Sequence, residues 1–179
     1  MHNGNTLKPI SPRKEIVLIH TLLAAAAALL IVSPFALGHG EKTQARHFSP
    51  AQLAEEKPFG KAGDPKKVTR TVTFTMSDKM RFDPSRITVR RGETIRFIAR
   101  NNGKLLHEMV FGTTKELQEH AEQMKKFPEM EHDEPYMTHV APGKTGEIIW
   151  QFTRAGEFDF ACLIAGHYDA GMTGKVIVK

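Results

Sequence analysis

Short segments in which apolar and polar residues alternate fill much of the chain from Val68 onward. Apolar side chains occupy every second position in residues 72–76, 95–99, 148–152 and 158–160, and turn residues such as glycine and asparagine separate these segments. A period of two turns one face of a segment toward a core, which is the signature of a half-buried strand. Roughly seven such strands in one domain predict an all-β fold of the β-sandwich type.

One part of this region breaks the alternation. Thr113 or Thr114 can cap a helix, Glu116 falls in its first turn, and apolar residues within 117–124 recur at helical spacing. The stretch that follows, 127–142, contains three prolines and has no regular period. We therefore predict a short helical insertion in the sandwich, followed by an irregular segment.

The first residues have the pattern of an export signal. Basic residues precede an apolar run from Ile16 to Leu37, and the small residues Ala36 and Gly38 stand where a signal peptidase reads the chain. We predict a signal peptide over 1–38, with an uncleaved membrane anchor as the alternative. Both interpretations place the rest of the chain outside the cytoplasm, which in a bacterium means the periplasm. After cleavage we expect no membrane association.

Residues 39–67 are polar, mix lysine with glutamate, and contain several prolines and glycines. This composition predicts a flexible polar arm ahead of a domain at 68–179. The formal net charge of the whole chain is +5 at pH 7, and residues 1–38 contribute three basic residues against one acidic residue. The remaining positive excess is small and dispersed, which argues against nucleic acid as a partner.

The chain contains one cysteine, and its surroundings are informative. Cys162 ends a predicted strand, and His167 and Met172 follow it with four residues in each gap. His107 stands earlier, at the start of a strand that follows the turn Asn101-Asn102-Gly103. Two imidazoles, one thiolate and a weak thioether are the ligands of type 1 copper sites. The pattern therefore predicts one copper ion held by His107, Cys162, His167 and Met172.

Other uses of this cysteine explain less. A structural zinc site needs four strong ligands and usually several cysteines. A cysteine nucleophile with a histidine base does not account for the methionine at fixed spacing. A buried structural cysteine is the plain alternative, because a lone cysteine, histidine or methionine on a loop of a β-rich domain usually lies in the core or on the surface.

Residues 68–179 resemble the cupredoxins, the family of type 1 blue copper proteins. The resemblance rests on Met-Arg-Phe-Asp-Pro at 80–84, Ile-Thr-Val at 87–89, Gly-Glu-Thr at 92–94 and the asparagine pair at 101–102. The gaps on both sides of His167 are similar to those of rusticyanin and auracyanin, whereas plastocyanin has a shorter first gap. The resemblance implies a Greek-key β-sandwich with copper at one end, and the overall pattern is similar to periplasmic cupredoxins of copper tolerance.

The sequence departs from this family immediately after the first ligand. Many relatives carry asparagine or serine there, which supports the cysteine loop, whereas this chain has Glu108. We expect altered hydrogen bonding to the loop, and a more tetragonal, greener copper site is the alternative to a blue one.

The insertion is rich in methionine and histidine. Both side chains bind copper, methionine preferring Cu(I). A second, weaker copper site is therefore a separate hypothesis, while burial in the core or exposure on a loop is the alternative for each residue. Its candidate ligands are His120, Met124, Met130, His132, Met137 and His139.

Three functions follow from these predictions. A one-electron carrier would meet a periplasmic redox partner through the apolar surface around His167, supplied by residues 163–166 and 170–171. A copper-tolerance protein would use the additional methionine and histidine ligands. A copper oxidase would need further histidine-rich centres and a longer chain, so we do not expect an enzyme.

Overall fold

The computed structural model describes residue 1 and residues 46–130 and 132–179. The chain divides into two units, Met1–Gln44 and Ala45–Lys179, and the second unit contains every helix and strand described below. The predicted signal peptide and the first residues of the predicted arm therefore fall outside the described residues, Met1 excepted. Within the described residues, no helix has the length and apolar character needed to cross a bilayer.

The described part of the chain is built mainly from strands. The strands are β1 Glu56–Lys57, β2 Gly60–Ala62, β3 Arg70–Ser77, β4 Arg81–Asp83, β5 Arg86–Val89, β6 Thr94–Asn101, β7 His107–Gly112, β8 Met137–Val140, β9 Thr145–Gln151, β10 Gly156–Ala161 and β11 Thr173–Val178. The helices are α1 Pro50–Ala54, α2 Thr114–Lys126 and a 3₁₀ turn at Pro65–Lys67.

These strands form two sheets. Among the described residues, one sheet has the order β1-β2-β9-β6-β3-β4 and the other has the order β5-β11-β10-β7-β8. The pairs β3–β6 and β5–β11 are parallel, and the other pairs are antiparallel. The predicted β-sandwich with a short helical insertion is therefore confirmed.

An aromatic core lies between the sheets. The ring of Phe97 meets that of Phe111 at a centroid distance of 4.8 Å, and Phe160 meets Phe74 at 4.9 Å. All four side chains are buried. They occupy alternate positions of neighbouring strands, so the period seen in the sequence places them on the inner faces. Edge-to-face contacts of this kind add to the stabilisation from burial.

The sandwich begins before Val68, within the segment that the sequence assigned to a flexible polar arm. Strand β2 pairs with β9, and Phe59 is only 2% exposed. The ring of Phe59 stacks on Trp150 at 5.4 Å, and Trp150 Nε1 donates to the Phe59 carbonyl at 3.2 Å. One large aromatic anchor is enough to fix this short hairpin, although the residues around it are polar and give no alternating pattern.

Helix α2 follows the prediction. Thr113 caps it, its hydroxyl accepting from the Glu116 amide while the Glu116 carboxylate accepts from the Thr113 amide. Leu117, Ala121 and Met124 are its buried residues and pack on the outside of the second sheet.

The segment predicted to be irregular contains a strand. Strand β8 pairs antiparallel with β7, placing Glu108 opposite His139 and Met109 opposite Thr138. Pro135 and Pro142 lie just outside β8, where a missing amide donor does not interrupt the ladder. The insertion therefore returns to the sheet beside the first predicted copper ligand.

Candidate metal centre

Three neighbouring strands bring the predicted copper ligands to one end of the sandwich. His107 is the first residue of β7, Cys162 follows directly after β10, and Met172 directly precedes β11. Because β10 lies between β7 and β11 in the sheet, these strand ends lie side by side. His167 lies on the loop between β10 and β11. The four residues are called the ligand group below.

The ligand atoms of His107, Cys162 and His167 all lie within 4.8 Å of one another. Cys162 Sγ is 3.2 Å from His167 Nδ1, and the two imidazole rings are 5.0 Å apart between centroids. His107, Cys162 and Met172 are fully buried, whereas His167 is half-buried. The group therefore has one ligand that reaches the surface and three that do not.

Backbone hydrogen bonds shape the loop that carries three of these residues. The Cys162 amide donates to the Met172 carbonyl at 3.0 Å, and the Met172 amide donates to the His167 carbonyl at 3.1 Å. Gly166 and Gly171 each have a φ of 86°, a conformation that glycine adopts without steric cost. The loop is thus closed by its own backbone, and Met172 is held beside Cys162 and His167.

The hydrogen bonding of His107 fits a metal ion. Its Nε2 atom lies 3.2 Å from Asp78 Oδ1, while Nδ1 is buried and has no hydrogen-bond partner among the described residues. A buried polar atom without a partner costs free energy, and a metal ion at Nδ1 would supply that partner. The sequence did not identify Asp78, because this carboxylate lies far from His107 along the chain.

Asp78 is itself well held. It accepts hydrogen bonds from the amides of Lys104 at 2.8 Å and Leu105 at 3.2 Å. The hydrogen bond from the Lys104 amide is the main cause that lowers the pKa of Asp78, and the nearby His107 lowers it further. A charged carboxylate on Nε2 fixes the imidazole tautomer and makes the ring a better donor to a metal.

The electrostatics of the group suit a soft cation. Burial raises the pKa of the Cys162 thiol to about 12, and the charge of Glu108 adds to this rise. Burial also lowers the pKa of His167, with His107 as a second cause. The thiol is therefore protonated and inert without a metal, and a bound metal ion would displace its proton.

Glu108 takes over the supporting role expected of asparagine or serine at its position. Its side chain is fully buried, and its Oε1 atom accepts from the Leu163 amide at 2.8 Å. Its own amide donates to Cys162 Sγ at 3.4 Å. The hydrogen bonding to the cysteine loop is therefore present, although the residue is acidic. Its other carboxylate oxygen, Oε2, lies 2.9 Å from His139 Nε2, which is an ion-pair contact without the alignment of a hydrogen bond.

Three of the six candidate ligands in the insertion come together. Between ring centroids, His132 lies 4.5 Å from His120, which is on α2, and 5.9 Å from His139, which is on β8. These three residues are called the histidine cluster below. His132 Nε2 is buried without a hydrogen-bond partner in the described part of the chain. The cluster is looser than the ligand group. Among the described residues, His107, Cys162 and His167 are the only group of three such side chains whose ligand atoms all lie within 4.8 Å of one another.

Charge also distinguishes the three histidines. Burial lowers the pKa of His120, and the neighbouring His132 lowers it further. The Glu108 carboxylate beside it raises the pKa of His139. The cluster therefore combines a neutral imidazole with one that lies at ion-pair distance from a buried carboxylate.

The methionines of the insertion lie in different surroundings. Met124 and Met137 are buried in the small core under α2, whereas Met130 is 40% exposed. Met124 and Met130 also line an open cavity of about 650 Å³ together with His132 and His139. The sequence pattern Met-x-His occurs twice, at 130–132 and 137–139. The two copies are not equivalent ligand pairs, because Met137 packs in the core.

The surface near the ligand group differs in part from the prediction. Leu163 is only 1% exposed and does not contribute to an apolar surface, whereas Ala165 and Ala170 are exposed. Leu105 and Leu106, which precede His107, are 47% and 44% exposed. The sequence did not single them out because they fall between a turn and a strand.

Comparisons with known proteins agree with this geometry. Residues 69–179 match the model of the copper-binding proteins of the plastocyanin/azurin family. The copper-resistant cuproprotein CopI of Rubrivivax gelatinosus is 48% identical over 166 residues, covering 93% of this chain and 99% of that protein. CopI of Pseudomonas aeruginosa is 34% identical and covers 72% of this chain and 87% of that protein.

A solved structure gives the same fold. Reduced auracyanin from Roseiflexus castenholzii superposes with a TM-score of 0.54 at 19% identity, over 63% of this chain and 98% of that one. This likeness confirms the predicted cupredoxin sandwich. Together with the family match and the CopI relatives, it establishes that the chain belongs to the plastocyanin/azurin family of copper-binding proteins, the cupredoxins, and that copper is its cofactor.

Proposed function

We propose that this protein is a periplasmic copper-tolerance protein with one type 1 copper ion bound by His107, Cys162, His167 and Met172. The observation that carries the proposal is the convergence of a thiol and two imidazoles within 4.8 Å at one end of the sandwich. The CopI relatives, which are named for copper resistance, support the physiological role. An N-terminal signal peptide would deliver the domain to the periplasm, free of the membrane after cleavage.

The ligand group suits both oxidation states of copper. Thiolate is a soft donor that holds Cu(I), and imidazole binds both states. When bound, the copper supplies one-electron chemistry. The backbone bonds that close the loop hold the ligands in place, so little rearrangement accompanies a change of oxidation state. No residue of the site needs to act as a catalytic acid or base, and we propose no enzymatic activity.

The histidine cluster would bind a second, more weakly held copper ion. Among the described residues His132 Nε2 has no hydrogen-bond partner, and the lining of the adjoining open cavity includes Met124 and Met130. An open site on the surface can take up and release copper more readily than the closed ligand group. This is the behaviour that a protein protecting the periplasm from excess copper needs.

A dedicated electron carrier is the second candidate function. Leu105 and Leu106, just before His107 in the chain, are exposed, as are Ala165 and Ala170 of the loop that carries His167, and these residues would supply an apolar surface. A periplasmic redox partner could dock there and exchange an electron through the half-buried His167. This function needs only the ligand group, so the histidine cluster separates the two candidates.

Copper stoichiometry before and after removal of the cluster tests the proposal. Purified wild-type protein exposed to copper should hold two ions per chain, and the double variant His120→Ala/His132→Ala should hold one with an unchanged visible spectrum. Cells carrying the double variant in place of the wild-type protein should grow less well on copper. Lys115→Ala, at an exposed position of the same helix, serves as the control.

One copper ion per chain in both proteins, together with unchanged copper tolerance, would contradict the tolerance role of the cluster. That result would favour the electron carrier.

A further inference from the structure

We propose that Glu108 couples the histidine cluster to the ligand group, so that a metal ion bound in the cluster alters the copper–thiolate bond at Cys162. This inference rests on the proposed second metal site. Glu108 is then a positioning residue, because it acts through His139 on one side and through the cysteine loop on the other.

The contacts of Glu108 divide between the two sites. Oε2 lies 2.9 Å from His139 Nε2, on the cluster side. Oε1 accepts from the Leu163 amide at 2.8 Å, one residue after Cys162. The Glu108 amide donates to Cys162 Sγ at 3.4 Å. A single residue thus contacts a histidine of the cluster, the loop and the thiol sulfur.

The position of Glu108 leaves it little freedom to move. Its side chain is fully buried, and it lies directly opposite His139 in the antiparallel pair β7–β8. A carboxylate is costly to bury unless charged or polar partners compensate for its lost hydration. The two partners contact different oxygens of the carboxylate, so a change at one oxygen is felt at the other.

The contact also decides how His139 can bind a metal. Because Glu108 pairs with Nε2, only Nδ1 of this ring remains for an ion in the cluster. A cation bound at Nδ1 withdraws electron density from the ring and strengthens the attraction between the ring and Oε2, which lies 2.9 Å from Nε2. The carboxylate then bonds less strongly to the Leu163 amide, and the geometry at the adjacent Cys162 changes.

The isosteric variant Glu108→Gln separates coupling from simple support. An amide oxygen can still accept from the Leu163 amide, and the backbone bond to Cys162 is untouched. The amide nitrogen, however, cannot accept from His139. The variant therefore removes the connection to the cluster and keeps the connection to the loop.

Silver(I) is a suitable probe, because it has ligand preferences like those of Cu(I) but does not reduce Cu(II). We would load the exported, purified protein with one Cu(II), titrate it with Ag(I), and record the thiolate-to-copper absorption and the EPR spectrum. Metal analysis at each step checks that the copper is retained. In the wild type, we expect a spectral shift that saturates at one Ag(I) per chain.

In Glu108→Gln, Ag(I) should bind about 10-fold more weakly, the lower end of the loss typical for partners of metal-ligating histidines. At saturation the copper spectrum should not move. Glu147→Gln, at a glutamate paired with Arg96 on the outside of the sandwich, should respond as the wild type does. His139→Gln is the second variant, since its amide can still donate to Glu108 but cannot replace the imidazole as a ligand. It should also abolish the shift.

The outcomes are distinguishable. A spectral shift in Glu108→Gln equal to that of the wild type at saturation would overturn the coupling, as would Ag(I) binding to the wild-type cluster without any shift. If His120→Ala/His132→Ala binds Ag(I) as tightly as the wild type, the second metal site itself is wrong. If Glu108→Gln does not fold, His139→Gln still tests the proposal. A spectral shift in His139→Gln equal to that of the wild type would contradict it.

Discussion

The ligand group and the histidine cluster use the same kinds of side chain in two different ways. The ligand group lies at the ends of three adjacent strands, is buried except for His167, and is closed by backbone hydrogen bonds. The histidine cluster draws one residue each from a helix, a loop and a strand, and it adjoins an open cavity. The first arrangement fixes geometry, and the second permits exchange.

This difference shows that the chemistry of a ligand does not by itself decide its function. Fixed geometry favours an ion that changes oxidation state and stays in place, because the protein then reorganises little. An open cluster favours an ion that arrives and leaves. The two sites meet at Glu108, whose carboxylate contacts His139 and the cysteine loop.

The largest effect that separates the two sites is expected from Cys162→Ser. An alcohol does not form the thiolate-to-Cu(II) charge-transfer band, so the intense visible absorption should disappear completely. The histidine cluster, which does not involve this sulfur, should keep its copper. Absorption spectroscopy and metal analysis of the same samples measure both effects, with circular dichroism as a check on the fold. An intense band remaining in Cys162→Ser would show that the ligand group is wrongly assigned.

The next effect distinguishes the two methionines of the repeated Met-x-His pattern. Met137 is fully buried, so Met137→Ala should lower the free energy of unfolding by about 2–5 kcal/mol. Met130 is 40% exposed, and Met130→Ala should change this free energy by less than about 0.5 kcal/mol. Urea unfolding of the metal-free proteins measures both. Equal destabilisation by the two variants would contradict the different surroundings of their side chains.

The convergence of His107, Cys162 and His167 was predictable from the sequence and their surroundings were not, for reasons that lie in the chain. Three of the four predicted ligands fall within one loop, and the only cysteine in the sequence marks it, so their spacing points to them. Strand β2 was missed because Phe59 is a single apolar residue among polar ones. Asp78 lies far from His107 in sequence, and a lone carboxylate gives no local signal of its partner. Glu108 was identified as a departure, but its contact with His139 depends on the pairing of β7 with β8.

A smaller effect should appear in the pH dependence of copper binding. Because the pKa of Cys162 is raised to about 12, the thiol must release a proton when copper binds at any lower pH. The affinity of the ligand group should therefore rise about tenfold per pH unit between pH 7 and 9. His167 adds no further proton there, since its pKa is lowered from 6.5.

The histidine cluster should behave differently over the same range. The pKa of His120 is lowered, and that of His139 is raised by Glu108. The affinity of the cluster for a metal ion should thus rise with pH until His139 has lost its extra proton, and it should be constant above that pH. Titrations against a competing chelator at several pH values compare the two sites. A flat profile for the ligand group would contradict a protonated thiol in the metal-free protein.

The smallest effect is expected from Met172→Leu. Met172 is fully buried beside Cys162, and the backbone bonds at its amide and carbonyl do not depend on its side chain, so leucine should leave the loop closed and the copper bound. A thioether is a weak axial donor that stabilises Cu(II) more than an aliphatic group does. The variant should therefore favour Cu(I) by up to about tenfold, which corresponds to a rise of up to about 59 mV in the one-electron potential. Redox titration followed at the visible band measures this rise, with copper content determined in parallel. Loss of nearly all copper from a folded Met172→Leu protein would instead make Met172 a primary ligand, and the ligand group would then depend on four strong donors.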